Sequence, residues 1–338
     1  MRPRLTFFIV WFILFFVQDL ALSETLKEKP KATIKVLIQN EGLALIPDRD
    51  EKLALLGDVK GDFFGGGARY SGQIRVWKGE KGLYVVNELS LEDYVESVVA
   101  AEVGTDWEIE ALKAQAVVAR TYAVYKKNAL SNQGTIYDLT SSVLHQVYNG
   151  NNSQFKITFA VRSTEGEILT YNGLPIEALY HSTCGGKTEN PEEVFGRKAP
   201  YMRSVESRCD LSPYWVWERK ILLSEIEEAL KLSDVRGLEI AGRTSTGRAK
   251  EIAVKMAQGN MLIKATELRK ILGWSKLPST NFEIKEDGDA VIFEGRGYGH
   301  GVGLCQWSAL QMAAEGKTYR EILSFFYPGT EIRHYEGK

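Results

Sequence analysis

The sequence predicts an α+β fold, with a mixed β-rich core, a long Ala-rich helix and a small α+β insertion. Short β-type runs separated by turns lie near the N-terminus, at 33–38, 73–77 and 82–86. Two helical patterns follow them, and a polar segment at 212–290 has helix and strand patterns of its own. A chain of 338 residues is long enough for one large or two modest domains.

The first 23 residues have the order of a secretory signal. Two arginines precede an unbroken apolar run from Phe7 to Val17, and the small-residue pattern Ala21-Leu22-Ser23 follows. This run is shorter than the ~20 apolar residues that a membrane-spanning helix needs. We therefore expect an exported protein, in the periplasm or the cell-wall space. Residues 1–23 would be cleaved as a signal peptide or retained as an N-terminal anchor.

The rest of the chain divides into a small N-terminal part and one main domain. Residues 24–70 are predicted to form a charged leader and a β-rich N-terminal region, and residues 71–335 the main domain, with the insertion at 212–290. The net charge is −2 and the pI about 6.2. This charge lacks the basic footprint of a nucleic-acid-binding protein, so we expect no nucleic-acid partner.

Glu102 is the strongest candidate for a catalytic group. Ser90 and Asp93 have the spacing of a helix-capping box, and an apolar stripe that includes Val95, Val98 and Val99 follows. If the helix continues, Glu102 lies on this buried stripe, where loss of solvation raises the pKa of its carboxyl and suits it to general acid catalysis. The alternative is that the helix ends earlier and Glu102 caps a turn or pairs with a lysine.

The second helical pattern, at about 108–127, is rich in alanine and carries a few polar side chains. Such side chains could line a cleft that binds sugar hydroxyls, or they could form a solvated face with ion pairs to Glu108 or Glu110. The candidates are Lys113, Gln115, Arg120 and Tyr122.

A glycine-rich segment at 295–303, GRGYGHGVG, has glycine at alternate positions. It lacks the Lys-Ser/Thr of a phosphate-binding loop, so it does not indicate nucleotide binding. Alternating glycines allow close approach of a ligand or of a neighbouring strand, and they leave His300 projecting.

Three cysteines occur, and three interpretations of them are open. An oxidising compartment favours a disulfide between Cys184 and Cys209, with Cys305 free and buried. Free thiols are the second interpretation. A zinc site with His181 is the third, but no C-x-x-C pair supports it. We therefore predict the disulfide, no metal and no other cofactor.

The chain resembles the stage II sporulation protein D (SpoIID) family, which includes the LytB amidase enhancers. The resemblance covers about 94–330 and rests on five segments, namely YVESVVAAEVGTDWEIEALKAQAVVARTYAVY (94–125), HQVYNG (145–150), TEGEILTYNGLPIEALYHSTCGGKTEN (164–190), APYMRSV (199–205) and GRGYGHGVGLCQWSALQMAAEGKTYREILSFFYPGT (295–330).

The resemblance implies a lytic transglycosylase that cuts peptidoglycan glycan strands, preferring strands already stripped of stem peptides by an N-acetylmuramoyl-L-alanine amidase. The family's catalytic glutamate, in the V-V-A-x-E element, is Glu102 here. This carboxyl would protonate the leaving glycosidic oxygen and then take the C6 hydroxyl proton as the 1,6-anhydro ring closes, so one carboxyl suffices. The resemblance also implies that motif side chains bind the glycan; these are Gln146, Tyr148, His181, Tyr201, His300 and Gln306.

The sequence departs from the family pattern at two places. Some relatives carry metal-binding cysteines between the long helix and the Q-x-Y-x-G element, whereas residues 128–145 contain none here. Ser308 replaces the glycine of the usual Q-W-G-A. Nothing in the sequence transfers the family's role in sporulation to this chain.

Two other functions stay open. The first is a non-catalytic activator that enhances an amidase or binds the cell wall. The second is a muramidase that pairs Glu102 with a second carboxyl such as Asp138 or Glu165, because hydrolysing glycosidases use two carboxyls.

Overall fold

The computed structural model describes residues 32–39, 46–48, 50–65, 68–131, 133–142, 146–150 and 154–337. The predicted signal segment and the first part of the predicted charged leader, up to residue 31, lie outside these residues. Among the helices described, none is long and apolar enough to cross a membrane. The fold is α+β, as the sequence predicts.

The N-terminal region is built on a five-stranded sheet. Its strands have the order β2-β5-β6-β1-β7, with antiparallel pairing except between β1 and β7. Strands β3 and β4 pair with each other, antiparallel, apart from this sheet. The bounds are β1 Thr33–Leu37, β2 Ala54–Lys60, β3 Phe63–Gly65, β4 Ala68–Tyr70, β5 Gln73–Lys78, β6 Leu83–Ser90 and β7 Leu139–Thr140.

Two helices cover this sheet and form the centre of the molecule. Helix α1 (Leu91–Glu102) begins at the predicted Ser90, whose Oγ accepts a hydrogen bond from the Asp93 amide at 3.1 Å. Helix α2 (Ile109–Leu130) is the predicted Ala-rich helix. Because its alanines are small, α1 and later helices approach it closely, and most of the side chains from Ala111 to Val124 are buried.

The helix at 155–162 was not among those predicted from the sequence. Helix α3 (Phe155–Arg162) contains aromatic and β-branched residues, which favour strands. Its buried residues Ile157, Ala160 and Val161 nevertheless follow helical spacing and pack against α2. Tertiary packing of this short stripe outweighs the local preference.

The predicted insertion contains the elements expected of it, and its apolar side chains form a core of their own. Strands β12, β13 and β14 make one antiparallel sheet, while β11, β16 and β15 make another. The domain boundaries themselves stay a prediction. Between α3 and the insertion lie four elements, namely β8 Glu167–Tyr171, β9 Leu174–Pro175, β10 Tyr180–His181 and α4 Pro191–Phe195. The insertion itself contains β11 Trp217–Leu222, α5 Leu223–Leu230, β12 Val235–Arg243, β13 Ala249–Met256, β14 Gly259–Lys264, α6 Ala265–Leu272, β15 Phe282–Asp287 and β16 Ala290–Gly295.

After the insertion the chain returns to the main domain. Strand β17 (Leu304–Cys305) pairs in parallel with β10, and β18 (Glu331–His334) pairs with β8. Helices α7 (Gln306–Ala314) and α8 (Tyr319–Phe326) pack on α2. The glycine-rich segment that leads into β17 approaches neighbouring backbone, as one of the two sequence interpretations proposed. A Cβ on Gly303 would lie 1.9 Å from the Leu179 carbonyl oxygen.

Candidate active site

Helix α1 ends at Glu102, so the predicted helix continues to this carboxyl. Val95, Val98 and Val99 on the preceding turns are all 0% exposed. Glu102 is partly buried at the end of this stripe, and no lysine pairs with it among the described residues. The sequence alternative, a turn cap or a lysine ion pair, is therefore not what the structure shows.

Two hydrogen-bond donors converge on one oxygen of Glu102. The Val147 amide donates to Oε1 at 3.1 Å, and the Tyr180 hydroxyl donates to the same oxygen at 3.1 Å. Burial raises the pKa of Glu102, and the bonds from Val147 and Tyr180, with the nearby Gln306 amide, oppose this shift without cancelling it. The carboxyl is therefore biased towards its protonated form.

The two donors on Oε1 also indicate which oxygen of the Glu102 carboxyl carries the acidic proton. Oε1 accepts two hydrogen bonds, so in the protonated carboxyl it is the carbonyl-type oxygen. The acidic proton then belongs on Oε2, the oxygen that these two donors do not contact. After the proton leaves, the same donors stabilise the carboxylate, which favours its use as a base.

The parallel pair β10–β17 brings Tyr180 and Gln306 to Glu102. Tyr180 is opposite Leu304, and Gln306 begins α7 two residues later. Gln306 lies close enough to lower the pKa of Glu102, yet its Nε2 makes no hydrogen bond of good geometry with any described residue. Nε2 is therefore a buried donor beside the carboxyl that a ligand oxygen could accept from. Tyr180 was missed by the sequence analysis, although it is the neighbour of the candidate His181.

His181, which is buried, and His300, which is partly buried, form a layer behind Tyr180. Their ring centroids are 5.6 Å apart, and both rings bond to the backbone of Val302. Burial, with Arg269 next in weight, lowers the pKa of His300 to about 4, and burial lowers that of His181 as well. Both rings are therefore neutral near pH 7. His300 also bonds to the Tyr180 backbone, so it holds the strand that carries Tyr180.

Gln146 lies behind the same site. Its Oε1 accepts a hydrogen bond from the Tyr94 hydroxyl at 3.0 Å, its Nε2 reaches the Ala119 carbonyl at 3.4 Å, and it contacts Tyr180. Gln115 is one helical turn before Ala119 on the same face of α2. Its amide is buried and makes no hydrogen bond to any described residue.

Arg120 requires a correction, because it does not line a cleft. The side chain is 0% exposed and forms a bidentate ion pair with Glu92, with distances of 2.8 Å to Oε1 and 2.5 Å to Oε2. Its remaining bonds go to the carbonyls of Val161 and Glu167. Arg120 thus joins α1, α2 and α3 inside the core.

Tyr148 is likewise a core residue in the structure. It is 2% exposed, its hydroxyl donates to Asn87 Oδ1 at 2.6 Å, and its ring packs against Tyr94 and Tyr70. The prediction that Tyr148 contacts the glycan therefore does not fit its position.

Three other candidates, Lys113, Tyr122 and Tyr201, make no hydrogen bond to Glu102 and lie in two separate places. Lys113 pairs with Glu110 at 2.7 Å, as the solvated-face interpretation proposed, and lies over the Tyr319 ring. Tyr122 and Tyr201 are near the buried Glu177. Burial and the charge of Glu177 raise the pKa of Tyr122, and the Tyr201 hydroxyl accepts a bond from the Glu177 amide.

Two tryptophans near the Glu102 helix end were not singled out from the sequence. Trp107, in the loop after α1, and Trp307, in the first turn of α7, have ring centroids 5.2 Å apart and are both partly exposed. Trp307 follows Gln306, which contacts the carboxyl. Partly exposed indole rings are suitable surfaces for the apolar face of a sugar ring.

The three cysteines lie together. In the structure they are unbonded, and the Sγ atoms of Cys184 and Cys209 are 3.3 Å apart. The disulfide stays a prediction. Cys305 is 0% exposed, in agreement with its predicted burial. His181 is not part of this group, contrary to the ligand set of the zinc interpretation.

Neither second carboxyl of the muramidase interpretation contacts Glu102. Asp138 Oδ2 accepts a bond from the Lys35 amide at 2.9 Å in the N-terminal sheet. Glu165 is exposed in the turn between α3 and β8. Neither contributes to the pKa shift of Glu102.

Comparisons of the chain with known proteins found two family models and several relatives. The family model described as Stage II sporulation protein matches residues 79–171, and a Domain of unknown function (DUF8618) matches 206–303. Stage II sporulation protein D of Bacillus subtilis is 37% identical, over 73% of this chain and 75% of the relative. An uncharacterized protein of Brachyspira hyodysenteriae is 34% identical, over 93% of this chain and 85% of the relative. The Amidase enhancer of Bacillus subtilis is 30% identical over 71% of this chain and 40% of the enhancer's own length.

Proposed function

The chain belongs to the stage II sporulation protein D family, and on this premise we propose that it is an exported lytic transglycosylase that cuts peptidoglycan glycan strands. A role at the cell wall agrees with the names of its relatives. The observation that carries the finer proposal is the partly buried carboxyl of Glu102, with its raised pKa and two donors on one oxygen.

The reaction uses this single carboxyl twice. Glu102 donates the proton on Oε2 to the glycosidic oxygen, and the bond between that oxygen and C1 of the muramic acid breaks. The C6 hydroxyl oxygen of the same muramic acid then bonds to C1, and the proton of that hydroxyl passes to the Glu102 carboxylate. The products are a free 4-hydroxyl on one strand and a 1,6-anhydro end on the other, and the enzyme regains its starting proton.

The surroundings of Glu102 support both steps. Burial favours the acid before cleavage, and the Val147 and Tyr180 donors stabilise the carboxylate between the steps. Gln306 Nε2 is available to hold a sugar oxygen. We expect Trp107 and Trp307 to contact a sugar face, and the natural substrate to be strands that an amidase has stripped of peptides.

The decisive experiment uses purified, peptide-free glycan strands and mass spectrometry of the product ends. Wild type should give 1,6-anhydro ends, and Glu102→Gln should cleave about 10²–10⁴-fold more slowly, because the amide cannot donate and recover a proton. Glycan binding should persist in the variant. Glu165→Gln, which alters an exposed carboxyl, is the matched control and should cleave normally.

Other outcomes identify the competing functions. Reducing ends in place of anhydro ends would indicate a hydrolase. The similarity to an Amidase enhancer favours a second candidate, a non-catalytic activator. Stimulation of an amidase equally by wild type and Glu102→Gln, with no cleavage by either, would support that candidate and refute the transglycosylase.

A further inference from the structure

Three cysteines from separate segments converge in the core of the main domain. Cys184 follows β10, Cys209 lies in the loop before β11, and Cys305 ends β17. All three are 0% exposed, and their Sγ atoms lie within 4.8 Å of one another. The folding of the chain, rather than local spacing, therefore produces a cluster of three sulfur ligands.

The spacing of the sulfurs suits a shared thiophilic cation. Tetrahedral zinc with Zn–S bonds of about 2.3 Å separates its sulfur ligands by roughly 3.8 Å. The observed distances run from 3.3 Å, between Cys184 and Cys209, to at most 4.8 Å. Small side-chain movements would bring all three sulfurs to bonding distance of one ion.

A backbone N–H donor and a buried guanidinium lie beside the three sulfurs. The Cys184 amide donates to the Cys305 sulfur at 3.2 Å. Arg248 is 2% exposed beside the cluster, and its Nη2 donates to the Cys184 carbonyl at 2.6 Å. Its Nη1 is buried and makes no hydrogen bond to a described residue, while its nearest carboxylate, on Glu189, is 4.0 Å from Nε. Three thiolates and one divalent cation carry a net charge of −1, which this guanidinium would offset.

A disulfide explains the cluster less completely. It would use two of the sulfurs and leave the third without a role. It would also be neutral, so it would offer no charge to the buried Arg248. A bound cation uses all three sulfurs and adds a direct link among three segments that strand pairing and packing already bring together.

We propose that Cys184, Cys209 and Cys305 are the protein ligands of one thiophilic divalent cation of the zinc class. The fourth position is filled by water or by the hydroxyl of Ser308, whose Oγ is 3.7 Å from the Cys184 sulfur. The ion is structural. It fixes the β10–β17 pair, which carries Tyr180 and leads into Gln306 beside the candidate catalytic carboxyl.

The test measures metal and thiols in the full chain, isolated from the export compartment without chelators. We expect one equivalent of zinc per chain by elemental analysis, and three alkylated thiols by intact mass after the metal is removed. Exchange with Co²⁺ should give an intense thiolate-to-metal charge-transfer band. Cys184→Ser, Cys209→Ser and Cys305→Ser should each lose the metal, while Ser212→Ala, which removes a buried hydroxyl that bonds to Thr183 at 2.6 Å, should keep it.

Metal-free wild type overturns the proposal, as does a mass lower by two hydrogens with one alkylated thiol, which marks the disulfide. The Co²⁺ spectrum of wild type decides the question even if the serine variants fail to fold. No glycan cleavage is measured, so failure of this proposal and failure of the proposed function are distinguishable.

Discussion

The buried ion pair between Arg120 and Glu92 tests whether the polar side chains of α2 serve the core or the substrate. Arg120 is 0% exposed, and the Glu92 side chain is 9% exposed. Glu92→Gln keeps the shape and leaves the guanidinium without its counter-charge. Breaking one partner of such a pair costs about 3–5 kcal/mol, because the remaining charge stays buried.

The expected cost converts to a measurable shift in melting temperature. An unfolding entropy of about 2.1 cal/mol/K per residue, over roughly 300 folded residues, gives about 0.6 kcal/mol per degree. Glu92→Gln should therefore lower the Tm by about 5–8 °C in thermal unfolding followed by circular dichroism. The matched control is Arg162→Met. It breaks the exposed α1–α3 pair with Asp93, whose side chains are 38% and 41% exposed, and should cost at most about 1 kcal/mol.

A double variant separates structure from function. In Glu92→Gln/Arg120→Met no unpaired charge remains, and the Val161 carbonyl keeps its bond from the Thr164 amide. Most of the lost stability should return, and glycan cleavage should stay near the wild-type rate. A folded, stable double variant that cannot cleave glycan would show that Arg120 acts on the substrate and would refute its assignment to the core.

Three further predictions concern the site and its supports. Tyr180→Phe removes a donor to Glu102 Oε1, so the pKa of Glu102 should rise further and the rate should fall by about 10–100-fold; an unchanged pH–rate profile would contradict this role. The folded-state pKa of His300 is about 4 and its ordinary value is 6.5, so stability is fully present above pH 6.5 and is lost as the pH falls towards 4. In urea unfolding, the free energy of unfolding should be about 2 kcal/mol lower at pH 5 than at pH 7 because of this group. His300→Asn should reduce this pH difference. An equal pH difference in wild type and variant would refute the role of His300. Gly104→Ala places a Cβ 2.7 Å from Trp107 Nε1, so this ring must move, and KM for glycan should rise about 2–10-fold with little change in kcat; an unchanged KM would exclude the ring from the binding surface.

Local pattern predicted the helices that carry the site. The 3.6-residue stripe before Glu102 and the alanines of the second helix correctly predicted α1 and α2, because each pattern spans several turns and its apolar face is buried. Helix α3 was missed because it has only two turns, and its composition favours a strand.

The same local reasoning could not assign partners to polar side chains. Arg120 and Lys113 are seven residues apart on one helix, and no local pattern distinguishes their surroundings. The structure pairs Arg120 with Glu92 and Lys113 with Glu110, because α1 packs on only one part of α2. Burial of a charge depends on which element covers it, and that is a property of the tertiary fold.

By itself, the sequence determined the fold class, the family and the position of Glu102 at the end of a buried stripe. Periodicity and short motifs carry this information, because helices and turns depend on residues a few positions apart. Only the tertiary structure decided what surrounds the carboxyl. Tyr180 and Gln306 come from segments about 120 residues apart, and the parallel β10–β17 pair joins them. The same pair brings Cys184 to Cys305. Neither contact could be predicted from the sequence, because hydrogen bonding between distant strands leaves no spacing signal in the chain.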